Sequence, residues 1–377
     1  MYVETKEKYP SQDTLSIISR VLVILAAVVL FLLAIHLLGY SFLGLRQRIG
    51  ASILSVAANP FIGLFIGLLL TAIIQSSSTS TSMIVALVGS GALSLPTAVP
   101  IVMGANVGTT LTSTVVSLGF ITRKREFRKA ISAATVHDFY NIILVAILFP
   151  LEYHYHLLSH LSNELVEWLA QGWQPVASSS QYSLDFSNGV GHRIASLFQN
   201  DWLLFLLAFV LLFVAIKLIS QMVSRVLIGN SRQLLKEHIF QNPYQSFAWG
   251  GVLTAAVQSS SITTSLIVPL VAKGKVPLQK AFPFVMGANM GTTFTALIAA
   301  LFASKAAIEL AMVHFLFNLF GAILFLPYKP IRQAPGRIAA TFGKLTLRHR
   351  IYGFIYVFLL FFMIPFLLIY LYRQGLL

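Results

Sequence analysis

The feature that most constrains this chain is an internal duplication. NPFIGLFIGLLLTAIIQSSS, starting at Asn59, returns as NPYQSFAWGGVLTAAVQSSS, starting at Asn242. The match continues at constant offset into GANVGTT (Gly104–Thr110) and GANMGTT (Gly287–Thr293), and 23 of the 38 positions from Gln75 to Thr112 are identical to their partners. A third match, AxVHxxxN, follows at Ala134–Asn141 and Ala311–Asn318, at a slightly different offset because the first copy has a longer connecting loop. Each copy therefore reads Asn-Pro, QSSS, GANxGTT, His-x-x-x-Asn. Such a chain folds as two related halves.

Composition says where those halves reside. Of the 377 residues 57% are hydrophobic and 10% charged, with a mean hydropathy of +0.81, whereas a soluble domain carries about 25% charged residues. Soluble and disordered classes are excluded. The apolar runs are roughly 20 residues long and continuous, which suits bilayer-spanning helices and disfavours the alternation of a membrane β-barrel. The fold class is an all-α polytopic membrane protein. The absence of cysteine excludes disulfides, thiolate metal sites and lipid attachment at cysteine. Residues 1–14 mix Glu4, Lys6, Glu7, Lys8 and Asp13, and the following apolar run is too long for a cleavable signal. The net charge of +14 reads as topogenic rather than as a nucleic-acid footprint, with some contact to anionic lipid.

Loop charges set the orientation. TRKREFRK (Thr122–Lys129) is cytoplasmic; 151–200, with Glu152, Glu164, Glu167 and Asp185 against Arg193, is external; Arg225, Arg232, Lys236 and the basic residues of 329–350 lie inside. Full crossings fall at about 16–38, 98–120, 130–150, 201–223, 279–302, 306–327 and 352–372. For the charges to alternate, 60–93 and 243–272 must each enter and leave on one side, as re-entrant hairpins with QSSS near the tip, and the repeats are then inverted in topology. Arg46 and Arg48 fall outside in this scheme, and an interfacial helix at about 43–57 accounts for them. The chain divides into 1–58 (tail, first crossing, interfacial segment), 59–150 (repeat 1), 151–200 (external loop), 201–241 (crossing and cytoplasmic linker), 242–327 (repeat 2) and 328–377 (basic cytoplasmic loop and last crossing). The N-terminus is cytoplasmic and the C-terminus external.

Four consecutive polar residues in an apolar run are costly in lipid unless bonded. Gln75, Ser76, Ser77 and Ser78, with Gln258, Ser259, Ser260 and Ser261, offer donors for an oxyanion and oxygens for Na+. A helix starting just after QSSS adds N–H groups and a positive dipole end. The competing reading is that small polar residues let helices pack closely; two inverted copies, whose tips meet at the midplane, favour binding. GANxGTT reads as a break in a crossing helix, whose freed carbonyls join Asn106, Thr109, Thr110, Asn289, Thr292 and Thr293 as cation ligands, or else as a flexible, close-packed helix. His137 with Asn141, and His314 with Asn318, share a helix face; a bonded pair bracing each repeat is preferred over a ligand or proton-sensing role. Asp138 is the sole acid of its span and has Phe315 as its partner position in the second copy. It offsets a cation or forms a structural pair. No GxSxG, HExxH or P-loop pattern occurs.

These residues resemble the type II sodium/phosphate cotransporter family and its bacterial relatives. The resemblance rests on both QSSS copies, on QSSSITTSLIVPL, on the GANxGTT pair and on HFLFN at His314–Asn318, and covers roughly 59–150 and 242–327. It implies inward, Na+-driven cotransport of inorganic phosphate, with both ions at Gln75–Ser78 and Gln258–Ser261. It also implies no enzymatic activity and no cofactor besides Na+ as coupling ion. A multi-pass protein of the bacterial inner membrane is the expectation, with phosphate, Na+ and the bilayer as partners. The external loop lacks the disulfide of animal members. The chain ends without the soluble helical domain of some bacterial relatives linked to export, which favours import. Export, another oxyanion such as sulfate or arsenate, and, remotely, an intramembrane hydrolase are the alternatives.

Overall fold

The computed structural model describes residues 14–49, 58–172, 185–198, 200–228, 239–300 and 304–376, and those residues are helical apart from short connections. In chain order the helices are α1 (Thr14–Ile49), α2 (Pro60–Ile74), α3 (Ser77–Gly89), α4 (Leu95–Gly108), α5 (Leu111–Leu118), α6 (Lys124–Tyr155), α7 (Leu157–Gly172), α8 (Asp185–Leu197), α9 (Asp201–Ile228), α10 (Pro243–Val257), α11 (Ser260–Ala272), α12 (Leu278–Ala300), α13 (Lys305–Phe325), α14 (Lys329–Arg348), α15 (Ile351–Phe358) and α16 (Ile364–Arg373). Among the described residues, seven stretches are long and apolar enough to cross a membrane, each overlapping one of the crossings read from sequence.

Burial sorts them. The stretches Leu95–Leu118 and Leu278–Ala300 are each 78% buried within the protein, whereas Asp201–Leu218 is 28% and Ile351–Arg373 only 11% buried. The two GANxGTT segments thus form the centre, and α9 and α15–α16 the periphery, where their apolar side chains face outward. Pro365, near the start of α16, has no N–H to give the preceding turn, and the backbone widens there into a π turn over Leu359–Met363 that turns Phe361 into the protein.

Three sequence expectations change. The interfacial helix at 43–57 is not separate: α1 continues unbroken to Ile49, and 50–57 lie outside the described residues. The described residues of the expected external loop, 151–200, are largely helical. α6 runs on to Tyr155 and turns at His156, in a left-handed conformation with φ 50°. Glu152, counted among the loop charges, is buried. Its carboxylate accepts the amides of Leu158 (2.7 Å) and Ser159 (3.3 Å) and caps α7. The basic stretch after 328 is likewise a helix, α14, lying along α6 where Gly343 meets Ser132 and the Arg128 carbonyl. At the start of α13, Lys305 bridges Glu167 (3.1 Å) and Glu309 (3.5 Å) and holds the exposed Glu167 carboxyl below the usual carboxylate range.

Candidate functional site

The Asn-Pro and QSSS motifs delimit one helix in each copy. Asn59 caps α2 by accepting the amides of Phe61 and Ile62, and Asn242 caps α10 through Gln245; the following prolines take the first helical position, where no N–H is needed. Gln75 and Gln258 then end these helices in the left-handed region, at φ 57° and 54°. The next residue is extended. Ser76 (φ −147°) caps α3 through the Thr79 amide, and Ser259 (φ −148°) caps α11 through the Ile262 amide. QSSS is therefore a helix stop and a helix start in consecutive residues, which reconciles four polar residues with apolar surroundings.

The two junctions touch. Ser78 donates to the Gln258 carbonyl at 2.9 Å, Ser261 donates to the Gln75 carbonyl at 3.3 Å, and the Ser77 and Ser260 hydroxyls lie 3.4 Å apart. Each junction supplies the other's missing hydrogen bond. Ser77, Ser78, Ser260 and Ser261 are buried, Ser76, Ser259 and Gln258 half-buried, and Gln75 exposed. The caps consume one first-turn amide each, so the N-termini of α3 and α11 bring further N–H groups to one place.

GANxGTT does two things, only one of them expected. Its glycines admit neighbouring backbone. A Cβ on Gly104 would stand 1.8 Å from the Leu64 carbonyl oxygen and one on Gly287 1.9 Å from that of Phe247; Gly108 and Gly291 are confined in the same way by Leu68 and Gly251. The α2–α4 and α10–α12 pairs are thus locked at backbone contact, and none of these glycines has positive φ. The expected break exists only in the first copy, between Gly108 and Leu111. In the second, α12 is continuous through Gly291 because its amides keep their helical partners. The Thr109 and Thr292 hydroxyls donate to the carbonyls of Ala105 and Ala288, and those of Thr110 and Thr293 to Val107 and Met290. Those carbonyls are engaged within the helix.

The His–Asn pairs brace across the repeats, with one further bond, from Asn141 to Asn106, inside the first. His137 Nε2 donates to Asn289 Oδ1 (2.6 Å), Asn289 Nδ2 to Asn141 Oδ1 (2.8 Å), and Asn141 Nδ2 to the Asn106 carbonyl (2.6 Å). Reciprocally, His314 Nε2 (3.2 Å) and Asn318 Nδ2 (3.3 Å) donate to Asn106 Oδ1. All six are buried. Each GANxGTT asparagine is held by the histidine and asparagine of the other copy.

Asp138 stands apart from both groups. Its Oδ2 accepts the Tyr356 hydroxyl at 2.8 Å and the Thr114 hydroxyl at 3.4 Å, and the Thr110 side chain faces it, while Oδ1 is buried without a partner. This places it against the α4–α5 break. Sequence reasoning missed Thr114 and Tyr356, which lie outside the repeated motifs, and Ser113, which pairs with Thr264 of the other repeat at 2.9 Å. A second-copy alanine at the position matching Ser113 hid that pairing from the duplication.

The chain is 28% identical to sodium-dependent phosphate transport protein 2B of Homo sapiens, over 92% of this chain and 64% of that protein. It is 30% identical to protein 2A of Rattus norvegicus, over 82% of this chain and 60% of the relative. The chain therefore spans about three fifths of the length of these curated relatives. No solved structure matches it. The Na+/Pi-cotransporter family model matches residues 30–158 and 211–348, which take in both QSSS junctions, both GANxGTT segments and both His–Asn pairs. This chain belongs to the Na+/Pi-cotransporter family.

Proposed function

We propose that the chain is a secondary active transporter that takes up inorganic phosphate with Na+ by alternating access. The observation that carries this reading is the reciprocal bond exchange between the QSSS junctions, Ser78 to Gln258 and Ser261 to Gln75. Helix N-termini and hydroxyl donors from both halves converge there, which suits an oxyanion. In this reading α2–α3 and α10–α11 are re-entrant hairpins of inverted repeats, and phosphate sits between their tips at Gln75–Ser78 and Gln258–Ser261. No Lys or Arg is among the residues that meet there, so phosphate charge is balanced by dipoles and co-bound Na+.

Asp138 and the Thr110 and Thr114 hydroxyls offer hard oxygens suited to Na+, and the unpartnered Oδ1 fits a cation ligand. The His137–Asn289–Asn141 and His314–Asn106–Asn318 groups hold the halves in register, a structural role for Asn106 and Asn289. Rocking of one half against the other must exchange the bonds between junctions. The protein lies in a bacterial inner membrane, with its N-terminus cytoplasmic and its C-terminus external.

The test is uptake of labelled phosphate into proteoliposomes under an inward Na+ gradient against an equal K+ gradient. Concentrative uptake with Na+ alone, lost in Gln75→Ala and Gln258→Ala, is the expected result. Equal phosphate binding with choline in place of Na+ would end the charge-balance argument, and competition by sulfate or arsenate would reassign the oxyanion.

A further inference from the structure

A cavity of about 340 Å³ lies between the starts of α10, α12 and α14, away from the QSSS junctions. Ligand pockets begin at about 300 Å³, so its size admits a small anion or a lipid headgroup. Four cations line it: Lys280, Lys329, Arg332 and Arg337. Gln279 and Gln333 add amide donors, and no carboxylate of the described residues lines it. Topogenic charge explains why basic residues collect on this side of the protein. It does not explain four of them converging on one concavity, where their mutual repulsion opposes folding.

The backbone reinforces the side chains. Pro243, Leu278 and Lys329 begin three helices of 15, 23 and 20 residues, and all three border the cavity. Each brings a positive dipole end to the same space. Arg332 is already oriented, donating to the Leu326 carbonyl, and Arg337 donates to Gln333 at 3.2 Å. Arginines fixed in this way present their remaining N–H groups at little entropic cost.

We infer that this cleft binds a phosphoryl group, supplied either by the headgroup of an anionic phospholipid or by free inorganic phosphate. The cleft is separate from the proposed transport site and acts by neutralising the cations that α12 and α14 bring together beside the positive dipole end of α10. An occupied cleft therefore clamps the start of α10, the helix that leads to Gln258, against α14.

The test measures thermal stability of the full chain in neutral detergent and choline chloride, without Na+. Phosphatidylglycerol is titrated in one arm and inorganic phosphate in the other. Expected is stabilisation by at least one of them, with the half-maximal concentration raised roughly tenfold or more in Lys280→Gln/Arg337→Gln. Lys280 and Arg337 are exposed, so this variant should fold. Stabilisation in the lipid arm identifies a headgroup as the source, and in the other arm free phosphate. Lys124→Gln/Arg125→Gln removes equal charge from another exposed stretch, and Gln75→Ala alters the junction; both should keep the response. Absence of stabilisation by either ligand, or an equal loss in Lys124→Gln/Arg125→Gln, overturns the inference. So does loss of the response in Gln75→Ala, which would assign the binding to the QSSS junctions instead.

Discussion

The two repeats share a frame but not a centre. In both, Asn-Pro starts a helix, Gln stops it in the left-handed region, Ser starts the next, and paired glycines lock helix backbones together. The turns after α3 and α11 also match, with Gly91 and Gly274 at φ 74° and 70°. Three features differ. The first copy interrupts its GANxGTT helix and the second does not; the first has Asp138 where the second has Phe315; and Ser113 bonds Thr264 across the repeats, whereas Thr81 is buried without a partner. The shared features build the scaffold, and the differences gather on one side of it, around the break. A duplicated scaffold suits the alternation of two halves proposed above, and the asymmetric part carries the proposed Na+ ligands.

The scaffold is the part whose loss costs most. Gly104→Ala and Gly287→Ala each drive a methyl to within 1.9 Å of a carbonyl oxygen of a neighbouring helix, and no rotamer change relieves backbone overlap. Both should lose about 3 kcal/mol or more and fail to give a monodisperse peak in size-exclusion chromatography. If only one of them fails, the glycine locks are not equivalent and the comparison breaks at its strongest point.

The asymmetric part should fail in transport before it fails in folding. Asp138→Asn keeps an acceptor for Tyr356 but removes the charge. The half-saturating Na+ concentration for uptake is expected to rise about tenfold, which is about 1.4 kcal/mol, with little change in expression. Tyr356→Phe should shift it less. Phe315→Asp places a carboxylate in the other half. If it restored Na+ affinity to Asp138→Asn, the location of the charge would not matter, and the asymmetry would be incidental.

Much of this was legible because the duplication states which residues correspond. The crossings follow from apolar run length, and the helix start after QSSS from local chemistry repeated twice. What the sequence hides is which copy a side chain bonds. His137 and Asn141 are four residues apart on one helix, so a local pair is the economical reading, yet Asn289 of the other half takes both. Sequence places the break in both copies because the glycines are the same. The glycines answer to close packing in each, and the Leu111-for-Phe294 difference beside them gives no warning that only α4 ends. Tyr356 lies outside the repeats, and no local pattern connects it with Asp138.

Smaller effects test the reciprocity of the junctions. Ser78→Ala and Ser261→Ala each remove one cross-repeat bond, at a cost of about 1 kcal/mol in thermal stability. The shorter Ser78 bond, 2.9 Å against 3.3 Å, makes Ser78→Ala the costlier of the two. Ser113→Ala should cost about as much as Ser261→Ala, because Thr264 keeps its bond to the Ser260 carbonyl at 2.8 Å.

The sharpest use of the symmetry is its converse. Ala296 occupies in the second copy the place of Ser113, just as Thr81 occupies the place of Thr264. Ala296 and Thr81 are both buried. If the two halves are related closely enough for equivalent residues to meet, Ala296→Ser gives the Thr81 hydroxyl the partner it lacks. The gain should be up to about 1 kcal/mol, seen as a raised melting temperature. A neutral or destabilising outcome would mean that the α5 break has moved Ser113 to a position no second-copy residue can copy. The asymmetry would then extend beyond Asp138 into the contact between α5 and α11.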